Sequence, residues 1–194
     1  MSNFLILLAS IVISALAWGL LTGRWTAESR RVRKLEGDAT YVHPVMRIPV
    51  PWVFILAYLT GVAAQLSFPI AVRSPGGSRF IRLAGFALVG AGIVIALSAV
   101  GLFKRKSTTT VPFEAPTALV TSGPYRFTRN PMYLGLTLVY VGVAGTRLEV
   151  WPLIVLPLLL AYVNFEVIPV EERRLRDVFG DAYQQYGLRV RRWL

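Results

Sequence analysis

Five apolar stretches, at about residues 3–21, 51–72, 83–103, 131–148 and 151–170, set the terms for this 194-residue chain. Crossing the hydrocarbon core of a bilayer takes about 20 residues of helix, and each stretch approaches that length. Only Arg147 and Glu149 carry charge between the last two, so those two must form a tight hairpin. The expected fold class is all-α and integral to a membrane, with five transmembrane helices in a single domain over 1–194. Residues 3–21 are read as a span rather than a cleaved leader. No Lys or Arg precedes that run, and no short core followed by a cleavage site is present.

The charge distribution agrees with that count. With five spans, 17 of the 21 Lys and Arg residues fall on one side: those between spans one and two, those between three and four, and those after span five. Arg73, Arg79, Arg82 and Arg147 fall on the other. The positive-inside rule then places the N-terminus outside and the C-terminus in the cytoplasm. A net charge of +11 would also suit nucleic acid, but the apolar runs are too long for a soluble core. The arginines gather between those runs, so anionic lipid headgroups are the expected counter-charge, and nucleic acid is not an expected partner. The chain has no cysteine, which excludes disulfides, thiolate nucleophiles and Cys-ligated metal. His43 is the one histidine and reads as an interfacial loop residue; no metal site is expected.

The chemistry should therefore sit on a cytoplasmic face built from the 104–130 loop and the C-terminal helices. That material is too short for a separate soluble domain and longer than connectors need. The block Gly123 to Gly135, "GPYRFTRNPMYLG", is denser in special residues than a membrane edge requires. Pro131 suits the first position of a helix, with Asn130 as its N-cap. Free N–H groups at such a start favour an anion, while Tyr125, Phe127 and Tyr133 offer faces that attract a cation. A ligand with both a carboxylate and a cationic centre would fit; an aromatic belt with a capped helix would also explain the block. The tail 171–194 is expected to be a cytoplasmic amphipathic element and part of the active site, with a helix over 171–179 closed at Gly180. A basic helix lying on lipid accounts for its arginines but not for Glu171 and Glu172. Pro169 is expected to kink the chain and aim that pair at a pocket. Glu166, one turn inside the membrane edge, needs a partner or a wet cavity.

The segment "LVTSGPYRFTRNPMYLG", followed some 35 residues later by "EERRLRDVFGDAYQQYGLRVRRWL", resembles the isoprenylcysteine carboxyl methyltransferase family of integral membrane enzymes. The resemblance covers about residues 105–194, and phospholipid N-methyltransferases share a looser form of the pattern. It implies S-adenosylmethionine bound without a Rossmann domain, in a prokaryote-type membrane enzyme. Cofactor-pocket positions carry over to Tyr125, Pro131, Met132, Tyr133 and Glu171, with backbone contacts from Leu119 and Val120. Arg129 matches the motif arginine and is, with Glu166, a catalytic candidate. Asn130 stands where the family commonly has histidine; it can cap a helix and bind a carboxylate but cannot act as a base, and it is retained as a cofactor-binding candidate. The implied reaction is methylation of a carboxylate on a lipid-modified small molecule or protein C-terminus, with membrane lipids as surroundings. Transfer to the amine of a phospholipid and a non-enzymatic lipid-binding role are the alternatives.

Overall fold

A computed structural model describes residues 49–72, 77–105 and 118–194 of the chain. The first expected span and His43 lie outside the described residues. The described α-helices are α1 (Val50–Ser67), α2 (Gly77–Arg105), α3 (Pro131–Arg147), α4 (Trp151–Tyr162) and α5 (Ile168–Arg189). A 3-10 turn at Gly123–Arg126 precedes α3, and a π-turn at Val163–Val167 joins α4 to α5. No strand occurs among the described residues.

Three described helices are long and apolar enough to cross a membrane: Val50–Ser67, Gly77–Leu102 and the continuous Trp151–Arg189. The expected fourth span is not among these three, and its helix lies at the short end of the range that can cross a bilayer. Helix α3 has 17 residues, about 25 Å at 1.5 Å per residue, against a hydrocarbon core of about 30 Å. Among the described helices it is also the interior one, since none of its large apolar side chains is exposed. The helix that carries the last expected span does not stop at residue 170. Pro169 has no N–H to donate, and the chain absorbs the lost bond by widening rather than breaking. The N–H of Ile168 bonds the carbonyl of Val163, five residues back, and helix resumes at once. The expected break at Gly180 is present, with φ 49° and ψ −126° inside α5.

Helices α2 and α3 meet through glycine. A Cβ on Gly92 would fall 2.5 Å from the Gly135 carbonyl oxygen, and one on Gly135 would fall 2.7 Å from that of Gly92. Gly85 and Gly142 repeat the arrangement, with 2.7 Å in each direction. Both pairs advance by seven residues on an antiparallel partner, the spacing that keeps one seam facing its neighbour. The same step reaches Ala99, which is fully buried. On the outer side of α2, Phe80, Leu83, Phe86, Ile93, Val94 and Leu97 are exposed. Small residues inward and large ones outward is the packing expected where lipid replaces water, because close backbone approach rather than apolar burial drives association.

Helix α1 docks on α4, with Gly61 against the Pro152 backbone. At the α3–α4 hairpin, Leu148 takes the left-handed conformation and the buried Glu149 gathers the elements. The Tyr58 hydroxyl donates to it at 2.6 Å and Arg147 Nε at 2.7 Å. Gln65 Oε1 accepts the N–H groups of Val150 and Trp151. The main core lies between these helices and holds Phe54, Tyr133, Tyr140, Leu159, Val163, Val167 and Ile168.

Candidate functional site

The opposite end of the bundle carries the block Gly123 to Gly135. Gly123 takes a φ of 60°, which permits the turn, and the 3-10 turn then drives Tyr125 inward. Tyr125 packs with Val120 and Ala99 against Leu102 and Met132. Its carbonyl accepts the Tyr186 hydroxyl at 2.7 Å, so the second half of α5 is tied to this turn. Burial, with Tyr186 and Glu171 adding to it, raises the Tyr125 phenol well above its ordinary value and keeps it neutral.

Helix α3 begins at Pro131, and no side chain caps it. A helix start leaves its first N–H groups without intrahelical acceptors; here these belong to Met132 and Tyr133. The expected cap is corrected on one point. Asn130 occupies the capping position, but its Nδ2 donates to the carbonyl of Arg192 at 3.0 Å. The hydroxyl of Thr128 takes the neighbouring N–H of Asn130 at 3.1 Å.

The two adjacent glutamates separate. Glu171 accepts the Tyr133 hydroxyl at 2.5 Å, and Arg174 acts on it electrostatically. Glu172, only 5% exposed, turns to arginine. Arg192 grips it with two bonds, 2.9 Å from Nε and 2.8 Å from Nη2. Arg129 Nη1 stands at 3.2 Å and Arg176 Nη1 at 3.8 Å. The bond to Glu172 holds the Arg192 guanidinium above its ordinary value. A side-by-side pair on a helix points about 100° apart, so one carboxylate can face Tyr133 while the other faces the chain's end.

Of the residues expected from sequence, Val120, Tyr125, Pro131, Met132, Tyr133 and Glu171 gather at the mouth of α3. Leu119 lies beside Val120 and is partly exposed. Arg129 is near but committed to Glu172. Glu166 is apart: it is exposed, away from the buried face of Val163, Val167 and Ile168. No hydrogen bond or ion pair joins it to Tyr133 or Glu171. Sequence reasoning missed Thr128, Arg192 and Trp193 as members of this network, and it aimed Glu172 at a pocket where the structure turns it to arginine. The polar triplet Thr128-Arg129-Asn130, richer in donors than one helix start can use, was the available signal.

Chemically, a buried carboxylate held by a phenol among aromatic rings suits a cationic centre. Free N–H groups at the start of α3 suit an anionic one. Neither a curated protein nor a solved structure matches the chain. A family model described as phospholipid methyltransferase matches residues 80–182, more than half of the sequence and all of α3, α4 and the glutamate pair. On that match the chain belongs to the phospholipid methyltransferase family.

Proposed function

We propose that the protein is an S-adenosylmethionine-dependent membrane methyltransferase whose acceptor is the amine of a phospholipid. The observation that carries this reading is the Tyr133–Glu171 pair at the mouth of α3. The residues fit the cofactor: Tyr125, Tyr133 and Glu171 can face its cationic centre, and the N–H groups of Met132 and Tyr133 its carboxylate. When bound, S-adenosylmethionine supplies a methyl group on a sulfonium. The chain's own residues position the acceptor, exclude water and move a proton. An ammonium must lose one proton for each methyl it gains, and the Glu171 carboxylate is the group placed to accept it. The Tyr133 hydroxyl keeps that carboxylate oriented. Arg129 and Arg192, which would suit an acidic acceptor, are engaged by Glu172.

The paired motifs around residues 119–135 and 171–194 support a second reading, esterification of a lipid-borne carboxylate of the isoprenylcysteine kind. Rate against pH separates the two. With an amine acceptor the rate climbs toward alkaline pH, because an alkyl ammonium has a value near that of lysine, about 10.4. A carboxylate acceptor would give a profile flat above about pH 5, and that result would move the assignment to ester formation. In either reading the protein has five spans, with the N-terminus outside and both the site and the C-terminus in the cytoplasm, on the grounds of the arginine asymmetry.

A further inference from the structure

After Arg189 the chain leaves the helix. Val190 is extended, with φ −124° and ψ 130°, and residues 190–194 run back across the block that precedes α3. The carbonyl of Arg191 accepts the N–H of Arg129 at 2.8 Å. The next carbonyl, that of Arg192, accepts both the Thr128 hydroxyl at 2.8 Å and Asn130 Nδ2 at 3.0 Å. The Arg192 side chain reaches the other way, to Glu172. Trp193 packs on the core cluster that contains Tyr133, and its Nε1 donates to Asn164 Oδ1 in the π-turn at 3.1 Å. This strap touches three of the pieces that build the candidate site: residues 128–130 between the 3-10 turn and α3, the π-turn after α4 and the start of α5.

Each bond has a structural purpose at its own end, but their combination does more. Tyr133 sits on α3 and Glu171 on α5, and no loop joins those helices directly. Their mutual distance is set by whatever crosses between the helices at this end. Thr128, at 2% exposure, and Glu172 are the buried anchors of the crossing, and Arg192 hydrogen-bonds both, through its carbonyl and its side chain. We propose that Arg192 and Trp193 are positioning residues, which hold the start of α3 and the π-turn in the register that lets Tyr133 engage Glu171. The inference rests on the proposed function for what the pair does, but not for the strap itself. It assigns Glu172 a role distinct from Glu171, anchoring the strap rather than facing substrate.

The test uses the full chain in lipid nanodiscs, with Arg192→Ala, Arg192→Lys, Glu172→Gln, Trp193→Phe and the Arg192→Ala/Glu172→Gln double variant. Arg173→Gln, exposed and outside the strap, is the control. Two measurements run in parallel: steady-state methyl transfer, and hydrogen–deuterium exchange of the Arg129 amide and the 163–172 amides. The expected result is a fall in kcat of tenfold or more for Arg192→Ala, with the acceptor KM within threefold. Arg192→Lys should recover part of that loss. The double variant should lose no more than the worse single one, because both remove the same link. Exchange should rise at Arg129 and across 163–172 together, while α2 stays protected. Normal kcat in Arg192→Ala, additive losses in the double variant, or unchanged exchange at Arg129 would each overturn the proposal. Where Arg192→Ala fails to fold, Arg192→Lys and Trp193→Phe decide by the same criteria. If the wild-type protein transfers no methyl group, the proposed function fails. Exchange then decides the strap separately, with coupled deprotection supporting it and separate behaviour of the two segments refuting it.

Discussion

At the residue scale, the adjacent glutamates show how little a doublet reveals until its surroundings are known. Glu171 meets one phenol, and Glu172 meets three guanidinium groups. Removing the Tyr133 hydroxyl as Tyr133→Phe takes away a hydrogen bond to a carboxylate, worth about 1.5–3 kcal/mol. S-adenosylhomocysteine should then bind roughly 10- to 100-fold more weakly by titration calorimetry; unchanged affinity would place the cofactor elsewhere. Glu172→Ala should act differently. It strands Arg129, already partly buried, beside an empty acceptor, and breaking a buried pair costs about 3–5 kcal/mol. The expected outcome is a lower melting temperature in detergent, whether or not ligand is present. Asn130→Ala should cost about 1 kcal/mol through the lost bond to the Arg192 carbonyl, not through a missing helix cap. Asn130→Asp should be no better, since a carboxylate cannot donate to a carbonyl.

At the element scale, much of the arrangement was legible in advance. Pro131 opens a helix, the hairpin near Arg147 and Glu149 is tight, and Gly180 breaks the tail, each for a local reason that sequence records. The glycines were only half legible. Gly85 and Gly92 are seven apart, and so are Gly135 and Gly142, but nothing local says that the two sets face each other. That depends on α2 and α3 being antiparallel neighbours. The seam makes a sharp prediction. Gly92→Ala and Gly135→Ala each push a methyl within 3 Å of opposing backbone, and overpacking of this kind costs about 1–3 kcal/mol. Gly90→Ala, with nothing within 4 Å, should be neutral or stabilising by up to about 1 kcal/mol through helix propensity. Thermal unfolding of the three variants in one detergent checks the contrast. The strap was the least legible element. "RRWL" reads as a basic end meant for lipid, and its bonds to Thr128, Asn130 and Asn164 span 29 to 64 residues of sequence. The direction of Glu166 was hidden for a related reason: its position near the end of an apolar run was readable, but the π-turn that turns it to the exposed side was not.

At the scale of the whole molecule, the helices divide their labour between two ends. The end with the α3–α4 hairpin is closed by Glu149 with Tyr58, Arg147 and Gln65, a staple that holds α1 against the hairpin. The other end gathers the turn before α3, the π-turn, the glutamates and the strap. Among the described residues, Arg126, Arg129, Arg173, Arg174, Arg176, Arg189, Arg191 and Arg192 lie at the second end and Arg147 at the first, the asymmetry on which the proposed topology rests. Reporter fusions at residue 194 and in the 104–130 loop should both read as cytoplasmic, and a fusion at the N-terminus as external; a C-terminus found outside would refute five spans. The central claim is methyl transfer at the Tyr133–Glu171 pair, and one measurement addresses it directly. Purified protein in nanodiscs containing an aminophospholipid is supplied with S-adenosylmethionine carrying a labelled methyl group, and the extracted lipid is analysed by mass. The account predicts label on the lipid amine with the wild-type protein and a loss of at least 100-fold with Glu171→Ala. Label appearing at the wild-type rate in Glu171→Ala, or no label on any lipid when the wild-type protein binds S-adenosylhomocysteine normally, would contradict it.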